Sequence, residues 1–395
     1  MKSTNASDAS TALRILHAIQ SAKSISRAQI VTQTNLAAST VTVISAALEA
    51  RGVIRECGLA TSTGGRPPIL LEMDAHGGVI VTVALSGQMM TVGVLNLAAT
   101  VVATWNFDVP PSLAARPLYE ALLAHIDDGV RYAKNANRAV IGIGLAVPGL
   151  VDRDAGVIVE AENLGWSDMP IVDEVVAIHH VPVVAMNNTN ATAYGEYQNR
   201  IHDGMCSQGL LCATVGRGIG AGMVLGGKLY TGSTGMAGEI GHVVIEPGGL
   251  DCACGNRGCL ETVATPQAIE RRYLERALPR DIEGGVVQHP LTVLQMADAG
   301  DNEAAQIVSE AGAAIGQVLG NQVNVQNLDT ILLGGRLAES AVFFRAVYQT
   351  ISQMLMPKLR STVVVERAAL GRAAALVGVT HLTIDETVAR LLRTG

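Results

Sequence analysis

Residues 238–263 read GEIGHVVIEPGGLDCACGNRGCLETV, and their side chains could hold a metal ion. Cys252, Cys254 and Cys259 fall within eight residues, and His242 stands ten residues before the first of them. Three thiolates and an imidazole suit tetrahedral Zn²⁺. A closed set of four protein ligands leaves no position for water, so such a site is structural. Gly255 and Gly258 let the chain fold back around the ion. The spacing is not that of a nucleic-acid-binding zinc finger. The alternatives are free thiols or a Cys252–Cys254 disulfide, the latter strained and out of place in a reducing cytosol. Cys57, Cys206 and Cys212 are scattered, which fits reduced thiols.

A second stretch, VVAMNNTNATAYGEYQ at 183–198, crowds Asn187, Asn188 and Asn190 at the expected start of a helix. Amides bind polar molecules but do not titrate near neutral pH. The segment is either part of a catalytic site whose carboxylate lies elsewhere or a site that binds without reacting.

The elements that would position these groups follow from pattern. The chain has 395 residues, 49% apolar and 16% charged, with 42 glycines and three Phe. That composition points to a loop-rich α/β protein of two or three domains with a small aliphatic core. No apolar run approaches the roughly 18–20 residues that span a bilayer. The first 20 residues contain no uninterrupted apolar stretch of the secretory type, so a cytoplasmic location is expected.

Charge is shared unevenly. Residues 1–70 carry seven Lys/Arg against three acids, a net of +4, whereas the whole chain is −7, leaving −11 for the rest. A basic head on an acidic body suggests that the head meets a polyanion. Within it, STALRILHAIQSA aligns Leu13, Ile15, Leu16 and Ile19 on one helical face, with Ser10 as a possible N-cap. A second short helix is expected to open at Ser26 and a third to run from about Ala38 to Arg51, with Gly52 ending it. VIREC and PILLEM then form a hairpin. This order is that of a winged helix-turn-helix whose third helix lies in the DNA major groove. A small helical interaction domain is the alternative. Ser39, Thr40 and Thr42 would face the groove. The third helix lacks Arg and Lys before Arg51, so phosphate contacts are expected from Arg55 and from Arg66, the latter in the bend TSTGGRPP.

From residue 78 apolar β runs alternate with turns and helices. A ββ-then-βαβ order, repeated after about residue 208, is the layout of a two-lobed α/β domain of the actin/hexokinase type. The expected division is a head at 1–70 and a body at 71–395, with lobes at about 71–190 and 191–395 and a cleft for a small ligand.

With these residues in view, the sequence resembles the ROK family (repressors, open reading frames, sugar kinases) over essentially its whole length. GLAVPGLVD, NLGW, GRGIGAGMVLGGKLYTGSTGMAGEIGH, CACGNRGCLE and LLGGRL fall in family order. The head ending in GGRPP is similar to the repressor branch. The resemblance implies that Asn187, Glu239 and Glu261 contact sugar hydroxyls, that His242 serves both metal and sugar, and that Gly149 and Asn163 line the same site. Zinc, held on the loop between Glu239 and Glu261, would fix their geometry.

In the family's kinases the residue after the sugar-binding Asn is an Asp that takes the proton from the sugar hydroxyl. Here it is Asn188, which stays among the sugar contacts but cannot act as base, a loss typically of about 10²–10⁴ in rate. The kinase phosphate loop, Asp-x-Gly-Gly-Thr, aligns with ALSGQ, so Ala84, Ser86 and Gln88 replace Asp, Gly and Thr. Arg217 stands in the second glycine-rich loop where the family often has Thr. The expectation is a DNA-binding regulator, a repressor more than an activator, that binds a sugar or sugar phosphate and does not phosphorylate it. It would bind a double-stranded operator as a homodimer or homotetramer, away from membranes. The rival readings are an active ATP-dependent sugar kinase with an appended DNA-binding head, and a partner of a sugar-transport component.

Overall fold

A computed structural model describes residues 4–60, 67–87, 89–110, 113–277 and 290–393. The chain divides into two compact units, one of Met1–Cys206 with Arg372–Gly395 and one of Ser207–Gly371.

In the first unit, α1 (Thr4–Ala22) begins before the expected Ser10 cap, because neither Pro nor Gly interrupts the preceding turns. Ile15, Leu16 and Ile19 are fully buried, as the 3.6-residue pattern requires. A two-residue strand, β1 (Ile25–Ser26), was not expected. Ser26 opens α2 (Arg27–Thr34) through a reciprocal capping box with Gln29, and Asn35 closes it in the left-handed conformation. Helix α3 spans Ala38–Ala50, and Gly52 follows at φ +68°. Strands β2 (Ile54–Leu59) and β3 (Ile69–Met73) pair antiparallel, with β1 on the other side of β3. This is a winged helix-turn-helix.

The body of the first unit opens with the antiparallel run β4 (Val79–Ser86), β5 (Met89–Asn96) and β6 (Val101–Asp108). Helix α4 (Ala115–Asn135) leads to β7 (Val140–Val147), parallel to β4. A small sheet follows, of β8 (Leu150–Asp152), β9 (Val157–Ala161) and β10 (Trp166–Met169). Next come α5 (Ile171–His179), β11 (Val183–Asn187) and α6 (Asn188–His202). The main sheet runs β11-β7-β4-β5-β6. Strand β4 is buried from Val79 to Leu85, the continuous apolar run of a sheet covered on both faces.

The second unit repeats the scheme with β12 (Gly209–Val215), β13 (Ile219–Leu225) and β14 (Lys228–Tyr230), then α7 (Glu261–Ala264), α8 (Pro266–Ala277), α9 (Pro290–Asp298) and α10 (Asn302–Gln326). Strand β15 (Thr330–Gly334), α11 (Ala341–Met354) and β16 (Val364–Arg367) complete it, in sheet order β14-β13-β12-β15-β16.

The last helix, α12 (Ala374–Arg393), belongs to the first unit. A Cβ on Gly378 would lie 1.9 Å from the Ala191 carbonyl oxygen, so only glycine permits this approach of α12 to α6. Further along, Ile384 and Val388 join Ile15, Leu16, Ile19, Leu48 and Leu71 in one apolar cluster. The head at 1–70 shares a core with the body rather than standing apart. The lobe boundary at 190/191 falls inside α6, a continuous helix that the contacts keep in the first unit.

Candidate functional site

In the second unit, the segment between residues 238 and 261 doubles back on itself. The amides of Ile245 and Glu246 both donate to the Gly258 carbonyl, and Cys252 N–H donates to the Asn256 carbonyl. Gly258 sits at φ +74°, and a Cβ there would meet the Glu246 carbonyl oxygen at 1.7 Å. This fold-back gathers His242, Cys252, Cys254 and Cys259 so that their ligand atoms all lie within 4.8 Å of one another. His242 Nδ1 is 3.6 Å from Cys252 Sγ, and Cys254 Sγ is 3.7 Å from Cys259 Sγ. Burial, with the neighbouring thiols adding to it, pushes the Cys259 thiol up to about 12, whereas the Asn256 amide holds Cys254 below its ordinary value. The four expected ligands are thus one cluster that could hold a metal ion.

His242 turns its other nitrogen the opposite way, placing Nε2 3.9 Å from Glu239 Oε2. Burial raises the Glu239 carboxyl above its ordinary range, His242 opposes the shift and Glu261 adds to it. Glu261 Oε1 accepts the Ile219 N–H at 2.6 Å. A Cβ on Gly218 would come within 2.5 Å of that oxygen, so a larger residue there would push the Glu261 carboxylate aside. Glu239, His242 and Glu261 therefore stand together beside the metal-ligand cluster. An open groove of about 500 Å³ in the same unit is lined by Arg217, Cys252, Glu261, Thr262 and Arg271, among others. Arg271 carries no sequence signal, because its helix holds no motif.

In the first unit, Asn187 is the N-cap of α6. Its Oδ1 accepts the amides of Thr189 and Asn190, and its Nδ2 donates to the Gly149 carbonyl at 2.8 Å. Gly149, at φ +92°, packs where a Cβ would strike the Glu160 carbonyl oxygen at 2.2 Å. Asn163 is exposed on the 3-10 turn Glu162–Leu164 just beyond β9. Asn188 Nδ2 donates to the Leu85 carbonyl at 3.2 Å, tying α6 to the end of β4 where Ala84 and Ser86 stand. Gln88 lies outside the described residues.

On the head, Ser39 and Thr42 are exposed on α3 and Thr40 is half-buried. The Thr42 hydroxyl donates to the Ala38 carbonyl at 2.8 Å, leaving its oxygen free only to accept. Arg55, half exposed, pairs through Nη2 with Glu72 Oε1 at 2.6 Å across the β2–β3 hairpin. Arg66 lies outside the described residues.

The comparisons agree with this architecture. A ROK family profile matches residues 80–386, and a profile described as winged helix-turn-helix DNA-binding matches residues 9–55. The chain is 30% identical over 360 residues to the DNA-binding transcriptional dual regulator NagC of Escherichia coli K12, covering 89% of this chain and 87% of that one. It is also 30% identical over 307 residues to a glucokinase of Halalkalibacterium halodurans, covering 75% of this chain and 92% of that one. Its fold superposes, with a TM-score of 0.83, 23% identity and coverage of 98% and 99%, on a ROK family transcriptional regulator that is a homologue of the E. coli MLC protein.

Proposed function

Because the chain belongs to the ROK family and carries a winged helix-turn-helix head, we propose that it is a sugar-responsive DNA-binding transcriptional regulator. It acts as a repressor, binds a sugar or sugar phosphate without phosphorylating it, and works on its operator as a homodimer or homotetramer. The observation that carries the non-catalytic reading is Asn188. A general base must accept a proton, which a carboxamide cannot do near neutral pH, and the Asn188 amide is occupied in donating a hydrogen bond to the Leu85 carbonyl at 3.2 Å.

The ligand contacts we assign are Glu239, His242 and Glu261 in the second unit and Gly149, Asn163, Asn187 and Asn188 in the first. Carboxylates accept the hydroxyl protons of a sugar, and amides share hydrogen bonds with vicinal hydroxyls. The metal is Zn²⁺. Zinc–sulfur bonds of about 2.3 Å imply ligand–ligand edges of about 3.8 Å in a tetrahedron, and the 3.6 and 3.7 Å separations suit that size. Four protein ligands make it structural, holding the segment between Glu239 and Glu261 rather than activating water.

The test has two arms. In an ATP-dependent assay over hexoses and N-acetylhexosamines, no phosphoryl transfer above background is expected. Operator binding by fluorescence anisotropy is expected to weaken when the effector is added. Robust turnover abolished by substitution at Asn188 would instead identify a kinase with an appended head, the reading that the glucokinase similarity favours.

A further inference from the structure

The face of α3 that the head leaves to solvent contains no charge. Ser39, Thr42, Val43 and Ala46 are exposed, while Val41, Ser45 and Leu48 point into the core. Val43 is 68% exposed. An exposed valine is a weaker helix former than alanine and leaves most of its surface in solvent, so it contributes little to the fold at that position. Among the neighbouring cations, Arg51 at the end of the helix donates to its Ala47 carbonyl at 3.2 Å, and two others are paired with acids. Arg27 pairs with Glu49 at 3.3 Å and Glu56 at 3.4 Å, and Arg55 pairs with Glu72.

Base pairs differ in what they offer such a surface. In the major groove thymine presents its C5 methyl group and adenine its N6 donor, and apolar side chains discriminate by contact with that methyl. The Thr42 oxygen can only accept, which suits the adenine N6–H. A·T pairs therefore supply both partners, a methyl for Val43 and a donor for Thr42.

We infer that Val43, with Ala46 beside it, is a specificity-determining residue that reads the C5 methyl groups of thymine in the operator. The inference rests on the DNA-binding reading above and adds the chemistry by which bases are told apart.

The test begins by selecting bound duplexes from a randomised library with the full-length protein. Each thymine of the selected sequence is then replaced by deoxyuridine, which removes only the methyl. Loss of one buried methyl is expected to weaken binding about fourfold at one position in each half-site. The Val43→Ala protein folds, because alanine is the better helix former, and is expected to lose much of the discrimination between the thymine and uracil duplexes at that position, the shorter side chain withdrawing from the methyl. If deoxyuridine leaves affinity unchanged at every position, or if Val43→Ala keeps the full discrimination, the inference is overturned while DNA binding stands. If no duplex is enriched, the DNA-binding reading itself falls.

Discussion

Asn188 does something a carboxylate could not do in its place. Its amide donates to the Leu85 carbonyl, whereas an ionised Asp would set two oxygens against each other at that distance. Asn188→Asp is therefore expected to show no kinase activity and to lose stability. The cost of an unmade hydrogen bond and an unpaired acceptor is about 1–3 kcal/mol, read as a melting temperature several degrees lower. A variant that melted like the wild type and phosphorylated sugar would show that the position is a dormant base. The metal quartet makes a second residue-scale prediction: Cys254→Ser is expected to lower bound zinc from one equivalent towards none by metal analysis. Unchanged zinc would remove Cys254 from the ligand set. These two positions differ in how far sequence alone could take them. His242 and the cysteines lie within eighteen residues, so their spacing announces the site. The partner of Asn188 is 103 residues away, and no local pattern could reveal that its nitrogen is already committed.

Among the elements, strands with alternating or continuous apolar runs were legible, as were α2 with its capping box and α3 with its glycine stop. Helix α12 was not. Its buried side includes Thr380, Thr383 and Thr387 with Gly378, residues whose intrinsic preference argues against helix. Only tertiary contact explains them: Thr383 packs against the bare Cα atoms of Gly142 and Gly144, and Gly378 against α6. The same helix anchors the head, through the shared apolar cluster and through His17, whose Nε2 is 3.0 Å from both oxygens of Asp385. Burial pushes the His17 imidazole down, but the Asp385 carboxylate outweighs burial and holds it above the ordinary value. A raised pKa means that the pair stabilises the fold fully below the unfolded value of about 6.5 and loses that contribution as pH rises through the folded one. His381, half-buried on the same helix and lowered by desolvation to about 4, acts in the opposite sense: its contribution is present above about 6.5 and lost on acidification. His17→Gln also removes one of the charges that lower His381, so wild type and variant are compared at pH 6 and pH 8, both well above the lowered His381 value. The wild type's advantage in thermal unfolding is expected to be larger at pH 6 than at pH 8. An advantage independent of pH would show that His17 acts by packing alone.

At the scale of the molecule, a regulator without turnover can signal only through occupancy. The effector must bind the arrangement that releases DNA more tightly than the arrangement that holds it, since equal affinity for both shifts nothing. Couplings of this kind are typically 1–3 kcal/mol, or about 5–150-fold. Because the coupling is a free energy, it works in both directions. Saturating the protein with operator duplex should weaken effector affinity by the same factor by which saturating effector weakens operator affinity. Titration calorimetry of the effector with and without operator gives one factor, and anisotropy of the operator with and without effector gives the other. Glu261→Ala separates the two functions: operator affinity is expected to stay within about twofold while both factors fall to one, because the loss lies in a hydroxyl contact and not in the head. If that variant kept its full response to the effector, the ligand would have to be sought away from Glu239, His242 and Glu261. If instead the two factors disagreed, the effector and the DNA would not be biasing a common equilibrium.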